Sequence, residues 1–240
     1  MTRIDIALVE RGLFASRAKA REAIEAGLVS IDGRKVAKPS EPVAAEAKIE
    51  ASAPYEWVSR GGVKLAAALD AFAIDPRGLA CLDIGASTGG FAHVLLARGA
   101  KSVTCVDVGT GQLHPMIASD ARVSAMEQTD ARKLVASDLL EAPALIVIDV
   151  SFISLERILP HVLTLAAPRA KLVALIKPQF EAGPEHVKKG VVRDARIHAA
   201  VCARIERLVA ESGWPRIGLI DSPIAGGDGN REFLIAAERP

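Results

Sequence analysis

LDIGASTGGF, residues 82–91, reads as the end of an apolar strand that runs through a glycine-rich turn into a helix. Gly85 allows a sharp turn, and Gly89 and Gly90 let backbone approach a ligand and the following helix pack closely. The spacing is G-x-x-x-G-G. That differs from the G-x-G-x-x-G of dehydrogenases, and no lysine follows as in a phosphate-binding loop. Asp107 closes the next apolar run about 20 residues on, where a carboxylate can grip a ribose diol. Asp83, Gly85, Gly89 and Asp107 together point to an adenosine-containing cofactor. Ser87, Gly90 and Phe91 of the same turn are grouped with them. Asp130, in QTDARKL, is either a contact to the adenine edge or an aspartate that stabilises its own turn.

Outward from that turn, apolar strands alternate with helical stretches from about Trp57 onward. The strand candidates are LACLDI (79–84), SVTCVDV (102–108), ALIVIDV (144–150), KLVALIK (171–177), PRIGLID (215–221) and FLIAA (233–237). This alternation predicts an α/β domain over 57–240 with a doubly wound, mostly parallel sheet, its last strand open to antiparallel insertion.

Residues 1–56 follow a different pattern. RIDIALVERGL predicts a short helix ending near Gly12. Ser16 can cap a second helix in ASRAKAREAIEAG, which Gly27 can stop in a left-handed turn. LVSIDGRKV reads as a hairpin around Asp32-Gly33. Up to residue 40 there are eight basic residues (Arg3, Arg11, Arg17, Lys19, Arg21, Arg34, Lys35, Lys38) and five acidic ones. Residues 39–56, with three prolines, read as the end of this small α+β domain and a linker.

The whole chain has 240 residues, 50% of them apolar, with 30 basic against 29 acidic side chains. Any nucleic-acid binding must then rest on local basic patches. Cys81, Cys105 and Cys202 are far apart and form no C-x-x-C pair, which fits reduced thiols and gives neither a disulfide framework nor a metal site. No apolar run reaches the roughly 20 residues that span a bilayer, so a soluble, cytoplasmic protein with no membrane partner is expected.

Four charged residues stand where ligands bind in open α/β sheets. Lys177 ends an apolar strand, and Pro178 stops that strand by removing a backbone donor. Asp149 ends ALIVIDV. Glu232, in GGDGNREFL, leads into the final strand, and Lys64, in SRGGVKL, begins the first helix of the large domain. The competing reading is four separate surface charges, with Lys177 merely reaching water past a strand end.

Taken together, the motifs carry a resemblance. Residues 1–50 resemble the S-four-type RNA-binding domain. That implies RNA contacts from Arg3, Arg17, Lys19, Arg21, Arg34 and Lys35, although a solvated basic helix face would look the same. D-x-G-x-x-x-G resembles the turn of S-adenosylmethionine-dependent methyltransferases. Lys64, Asp149, Lys177 and Glu232 match the K-D-K-E tetrad of FtsJ-type ribose 2′-O-methyltransferases. With WVSRGGVKL, LDIGASTGGF, DVSFISL, LIKPQFE and GNREFL in order, the chain resembles the TlyA family of rRNA methyltransferases, also described as haemolysin A, over nearly its full length. The resemblance implies a Rossmann-like methyltransferase sheet with an N-terminal RNA-binding domain. It also implies S-adenosyl-L-methionine as cofactor and 2′-O-methylation of a cytidine in ribosomal RNA. The short form suggests the large subunit as partner. Asp149 joins the cofactor-binding set. The residues before Trp57 depart from the family's interdomain linker, which leaves any coupling role there open.

In that reading Lys177 accepts the 2′-hydroxyl proton or steadies the oxyanion. Asp149 holds Lys177, and Lys64 and Glu232 orient the ribose. A free lysine has a pKa of about 10.4. A sulfonium roughly 5 Å away, at an effective dielectric of about 20, opposes the ammonium by some 3 kcal/mol, or about 2 pKa units. Burial and Lys64 act in the same direction, and the two carboxylates oppose them. Arg60, Lys188 and Lys189 complete the expected RNA contacts, the last two on a glycine-bearing loop, 180–194, that also reads as an ordinary solvated loop. The alternatives are a membrane-active haemolysin, a non-catalytic RNA-binding protein on a methyltransferase fold, and a small-molecule methyltransferase.

Overall fold

β1 (Thr2–Arg3) leads directly into α1 (Ile4–Glu10), and Ser16 caps α2 (Arg17–Glu25) by accepting the Lys19 amide at 3.3 Å. This computed structural model describes residues 1–14 and 16–240. Ala15, the first residue of the stretch read as the second helix, lies outside the described residues. Ala20, Ala23 and Ile24 recur at helical spacing on α2 and are buried with Ile4 and Leu8 of α1. β2 (Val29–Ile31) and β3 (Arg34–Lys35) form the hairpin, with Asp32 and Gly33 both at positive φ as its two-residue turn requires. The alanine-rich stretch after it supplies β4 (Pro42–Val43), paired with β1, and β5 (Ile49–Ala51), paired with β2. Residues Met1–Glu56 form one unit and Trp57–Pro240 a second.

The second unit begins with α3 (Gly61–Ala71), followed by β6 (Ala80–Ile84), α4 (Gly90–Ala97), β7 (Ser102–Val106), α5 (Pro115–Ala118) and β8 (Val123–Met126). β9 (Leu145–Ile148), α6 (Leu159–Val162), β10 (Lys171–Ile176) and α7 (Pro178–Glu181) come next. α8 (Ala195–Glu211), β11 (Arg216–Asp221) and β12 (Phe233–Glu238) complete it. The strands make one sheet in the order β11-β12-β10-β9-β6-β7-β8. β10, β9, β6, β7 and β8 run parallel, and β12 is inserted antiparallel between β10 and β11. The apolar runs predict each of these strands except β8. VSAM is short, lies at the sheet edge and is only half-buried, so it lacks the apolar signature of an internal strand.

Alternate residues of each strand serve opposite faces of the sheet. Ile146, Ile148, Leu172, Ala174, Ile176, Phe233 and Ile235 pack with α6 and with Val201, Cys202, Ile205 and Val209 of α8. Leu145, Val147, Val173, Leu175, Leu234 and Ala236 pack with Leu65, Ala68 and Leu69 of α3 and with α4. Buried on both sides, the central strands read as continuous apolar runs.

Candidate active site

The same alternation directs the polar residues at the strand ends. Asp149 has the parity of Leu145 and Val147, Lys177 that of Val173 and Leu175, and Glu232 that of Leu234 and Ala236. All three therefore belong to the face that α3 covers, and Lys64 is the fourth residue of α3. Lys64 Nζ pairs with Glu232 Oε2 at 2.5 Å in a buried contact. Lys177 Nζ pairs with Asp149 Oδ1 at 2.6 Å and donates to Ser151 Oγ at 2.9 Å. Because Ile176 lies opposite Phe233 in the ladder, Lys177 and Glu232 leave their strands side by side. Gly61, one turn before Lys64, lies so close to Asp149 that an added Cβ would sit 3.6 Å from its Oδ2. The structure thus gathers all four residues at the carboxyl end of the sheet as two neighbouring ion pairs.

Beside them lies a cavity of about 520 Å³, lined by Gly85, Ser87, Asp107, Val108, Asp130, Asp149, Ser151 and Phe152 among others. Gly85 has φ +80°, and a Cβ there would lie 2.5 Å from the Asp149 carbonyl oxygen, so only glycine fits this turn. Asp107 accepts the Ser87 amide at 2.8 Å and the Gly109 amide at 2.7 Å. These bonds fix the plane of the carboxylate and leave further lone pairs for a diol. Asp130 borders the cavity while its carboxylate caps the turn at 131–133 and pairs with Arg132 at 2.6 Å, which holds its pKa at about 2. Gly89, Gly90 and Phe91 do not line the cavity. All three are closely packed: a Cβ on Gly89 would press on Leu113 and Ile117, one on Gly90 would strike Ser59 Oγ, and Phe91 is buried.

Asp83 is also set back from the cavity, fully buried. Burial raises its pKa to about 8, the charges of Asp149 and Asp107 add to the rise, and the Ala92 backbone partly offsets it. An unfolded aspartate loses its proton near pH 4. Between about pH 4 and 8 the folded chain holds a proton that the unfolded chain has lost, so Asp83 makes stability fall as pH rises. Asp5, Asp120 and Asp130, held at about 2, give the opposite slope only below about pH 4. The urea midpoint is therefore expected to decline from pH 5 to 8, and Asp83→Asn is expected to remove most of that decline. An equally steep decline in the variant would place its origin elsewhere.

In the small unit, Arg3, Arg17 and Arg21 converge on buried Asp5. Arg34 pairs with Glu41 at 3.0 Å, Lys19 lies over the Tyr55 ring at 5.3 Å, and Lys35 is exposed. In the larger unit, Arg60 donates to the Ala225 carbonyl at 2.5 Å, on the loop that leads to Glu232. Lys188 and Lys189 are exposed on a tight turn that Asn230 holds through the Gly190 carbonyl and the Val192 amide. Within the larger unit, the hydrogen bonds and ion pairs described for Arg60, Lys188 and Lys189 do not include the strand-end pairs.

Sequence reading missed Ser151, Phe152 and Glu181. Phe152 is 91% exposed at φ +63°, and its ring lies 5.0 Å from that of Phe180. Buried Glu181 accepts the Leu155 amide at 2.8 Å and the Ser154 hydroxyl at 2.6 Å, tying the segment after Lys177 to the segment after Asp149. DVSFISL carries the first two, but a left-handed phenylalanine leaves no trace in an apolar pattern.

Residues 2–49 match the S4 domain. The 16S/23S rRNA (cytidine-2′-O)-methyltransferase TlyA of Mycobacterium tuberculosis is 44% identical over 236 residues, 97% of this chain and 88% of that protein. The 23S rRNA (cytidine-2′-O)-methyltransferase TlyA of Campylobacter jejuni is 37% identical over 74% of this chain and 69% of its own length. A solved structure from Streptococcus thermophilus, described as a hemolysin, is 41% identical with a TM-score of 0.80, covering 99% of this chain and 88% of its own. Residues 57–239 match the FtsJ-like methyltransferase family across the sheet, the cavity and both ion pairs, and the chain belongs to that family.

Proposed function

We propose that this protein methylates the 2′-hydroxyl of a cytidine ribose in large-subunit ribosomal RNA, using S-adenosyl-L-methionine. The observation that carries the proposal is the pairing of Lys177 with Asp149 and of Lys64 with Glu232 beside the glycine-turn cavity. The substrate follows the printed names of two relatives, both of which include 23S rRNA.

The cavity suits the cofactor on three counts. Its volume suits a nucleoside-sized ligand. Gly85 opens the backbone at its floor, and the bordering carboxylates Asp107 and Asp149 complement a cation and a ribose. When bound, the cofactor supplies an activated methyl group for in-line transfer. Asp107 would hold its ribose, with Ser87 and Asp130 along the wall. Asp149 and Ser151 fix Lys177 Nζ from two sides, so that it takes the proton of the attacking 2′-hydroxyl as a free amine or steadies the developing oxyanion as an ammonium while solvent takes the proton. Lys64 and Glu232 orient the ribose, and positioning supplies much of the acceleration. RNA contacts come from the exposed cations of the small unit and from Lys188 and Lys189. Arg60, engaged by the Ala225 carbonyl, would support the loop before Glu232 as well as RNA.

Purified protein, large and small subunits, labelled cofactor and mapping of 2′-O-methyl groups test the proposal. One modified cytidine in the large subunit is the expected result, and no transfer to either subunit overturns it. Phe152 offers an exposed apolar face for a nucleobase, and such stacking contributes about 1–3 kcal/mol per base. Phe152→Ala is expected to lower kcat/KM for the RNA about tenfold or more, with a smaller loss of cofactor affinity because the same residue borders the cavity, while Phe152→Trp retains activity. Equal activity of the alanine variant would remove the stacking role.

Among the described residues no helix is long and apolar enough to cross a membrane.

A further inference from the structure

Asp5 is a fully buried carboxylate in the first turn of α1, two residues from the end of a basic strand. Three guanidiniums from two elements close over it. Arg3 grips both oxygens, Nε to Oδ1 at 3.0 Å and Nη2 to Oδ2 at 3.1 Å. Arg17 Nη2 donates to Oδ2 at 2.9 Å, and Arg21 Nε lies 3.8 Å from the same oxygen. The arginine side chains are 44%, 53% and 54% exposed. A solitary surface ion pair contributes little to stability, and one carboxylate needs only one partner. Three arginines on one buried acid leave the cluster net positive and half-open to solvent, with the forks of Arg3 and Arg17 oriented by hydrogen bonds to the anion beneath them and Arg21 drawn to the same oxygen.

We propose that Asp5 is the positioning residue of a phosphate site in which Arg3, Arg17 and Arg21 together hold one backbone phosphate of structured RNA. The inference rests on the RNA-binding reading of the small unit and adds to it a single-phosphate site with an internal aiming charge. Forked guanidiniums match phosphate geometry, and a fixed fork loses less entropy on binding than a free one. The hydrogen bonds from Arg3 and Arg17 keep Asp5 ionised, with its pKa at about 2, so the aiming charge is present at any working pH.

The proposal makes a prediction of opposite sign to simple electrostatics. Removing a negative charge beside a polyanion site should tighten RNA binding if only net charge matters. If Asp5 aims the arginines, Asp5→Asn should weaken binding of the full-length protein to purified large subunits about tenfold, the scale of one charge-assisted hydrogen bond. The slope of log affinity against log salt should fall by about one. Cofactor affinity should stay constant, because no cofactor contact is altered. The double variant Arg3→Lys/Arg17→Lys keeps every charge but loses the forks, and it should weaken binding similarly even if Asp5→Asn proves too unstable to assay. Unchanged or tighter binding in either variant overturns the aiming role. Arg17→Ala/Arg21→Ala separates the two levels: if that variant binds RNA as well as the parent, the RNA-binding reading of this surface fails with it. If it binds more weakly while Asp5→Asn and the lysine variant do not, only the aiming role fails.

Discussion

Lys177→Ala is expected to lower methyl transfer to ribosomal RNA at least about a thousandfold while cofactor affinity changes by less than about threefold. The ammonium is held by Asp149 at 2.6 Å and Ser151 at 2.9 Å, an arrangement that fixes its position. A group that carries charge and orientation at the reacting oxygen acts mainly in the transition state, so its loss falls on kcat. Proton transfer contributes about 10²–10⁴-fold and positioning adds to it. The side chain is not among those that line the cavity, which is why cofactor binding should persist. Removing it also leaves Asp149 without its counter-ion, but that carboxylate is partly exposed and water can solvate it. Lys177→Arg tests geometry against charge and is expected to stay below about 1% of parent activity, because the planar fork cannot replace a compact ammonium. Near-normal turnover in Lys177→Ala, with isothermal titration showing bound cofactor, would remove the mechanism.

A second large effect concerns stability. Lys64 and Glu232 form an ion pair almost wholly removed from water, with the carboxylate only 3% exposed. Breaking such a pair from one side strands the partner, at a cost of about 3–5 kcal/mol. Lys64→Ala should lower unfolding free energy by that amount, and Glu232→Ala likewise. Lys64→Met/Glu232→Gln removes both charges at similar volume and should regain most of the stability. It should nevertheless remain inactive, since the ribose has lost both of its proposed orienting groups. Urea unfolding and methyl transfer measured on the same preparations separate the two effects. A single variant as stable as the parent would mean the pair is better solvated than its burial indicates.

The fold was legible because each central strand is buried on both faces, which writes it as an unbroken apolar run. Lys177 was legible because Pro178 marks where its strand stops. The common face of Asp149, Lys177 and Glu232 was not legible: counting by twos, back from the first two and forward from the third, gives each a parity, but only the packing against α3 shows that the three parities share one side of the sheet. The contact of Lys64 with Glu232 was not legible as a distance, because it depends on how α3 packs against a strand 168 positions away in sequence. Nor was the role of Asp5, since an aspartate in the first turn of a helix already has a sufficient local explanation in the helix dipole. Phe152 escaped because its significance lies in a backbone conformation that residue type does not announce. The alanine-rich stretch after the hairpin reads as the end of the small domain and a linker, and Val43, buried in the core of the small unit, belongs to the first of these.

β12 enters the sheet between β10 and β11, strands synthesised before it. While translation is still short of residue 233, β10 has a bare hydrogen-bonding edge and β11 has no neighbour. The same segment brings in the carboxylate that neutralises Lys64. Closure of the sheet and completion of the charged cluster are thus one event, reached only when this strand is available. An enzyme built this way has no half-made active form, and a chain interrupted upstream presents an apolar edge suited to capture by the cell's holding and degrading machinery.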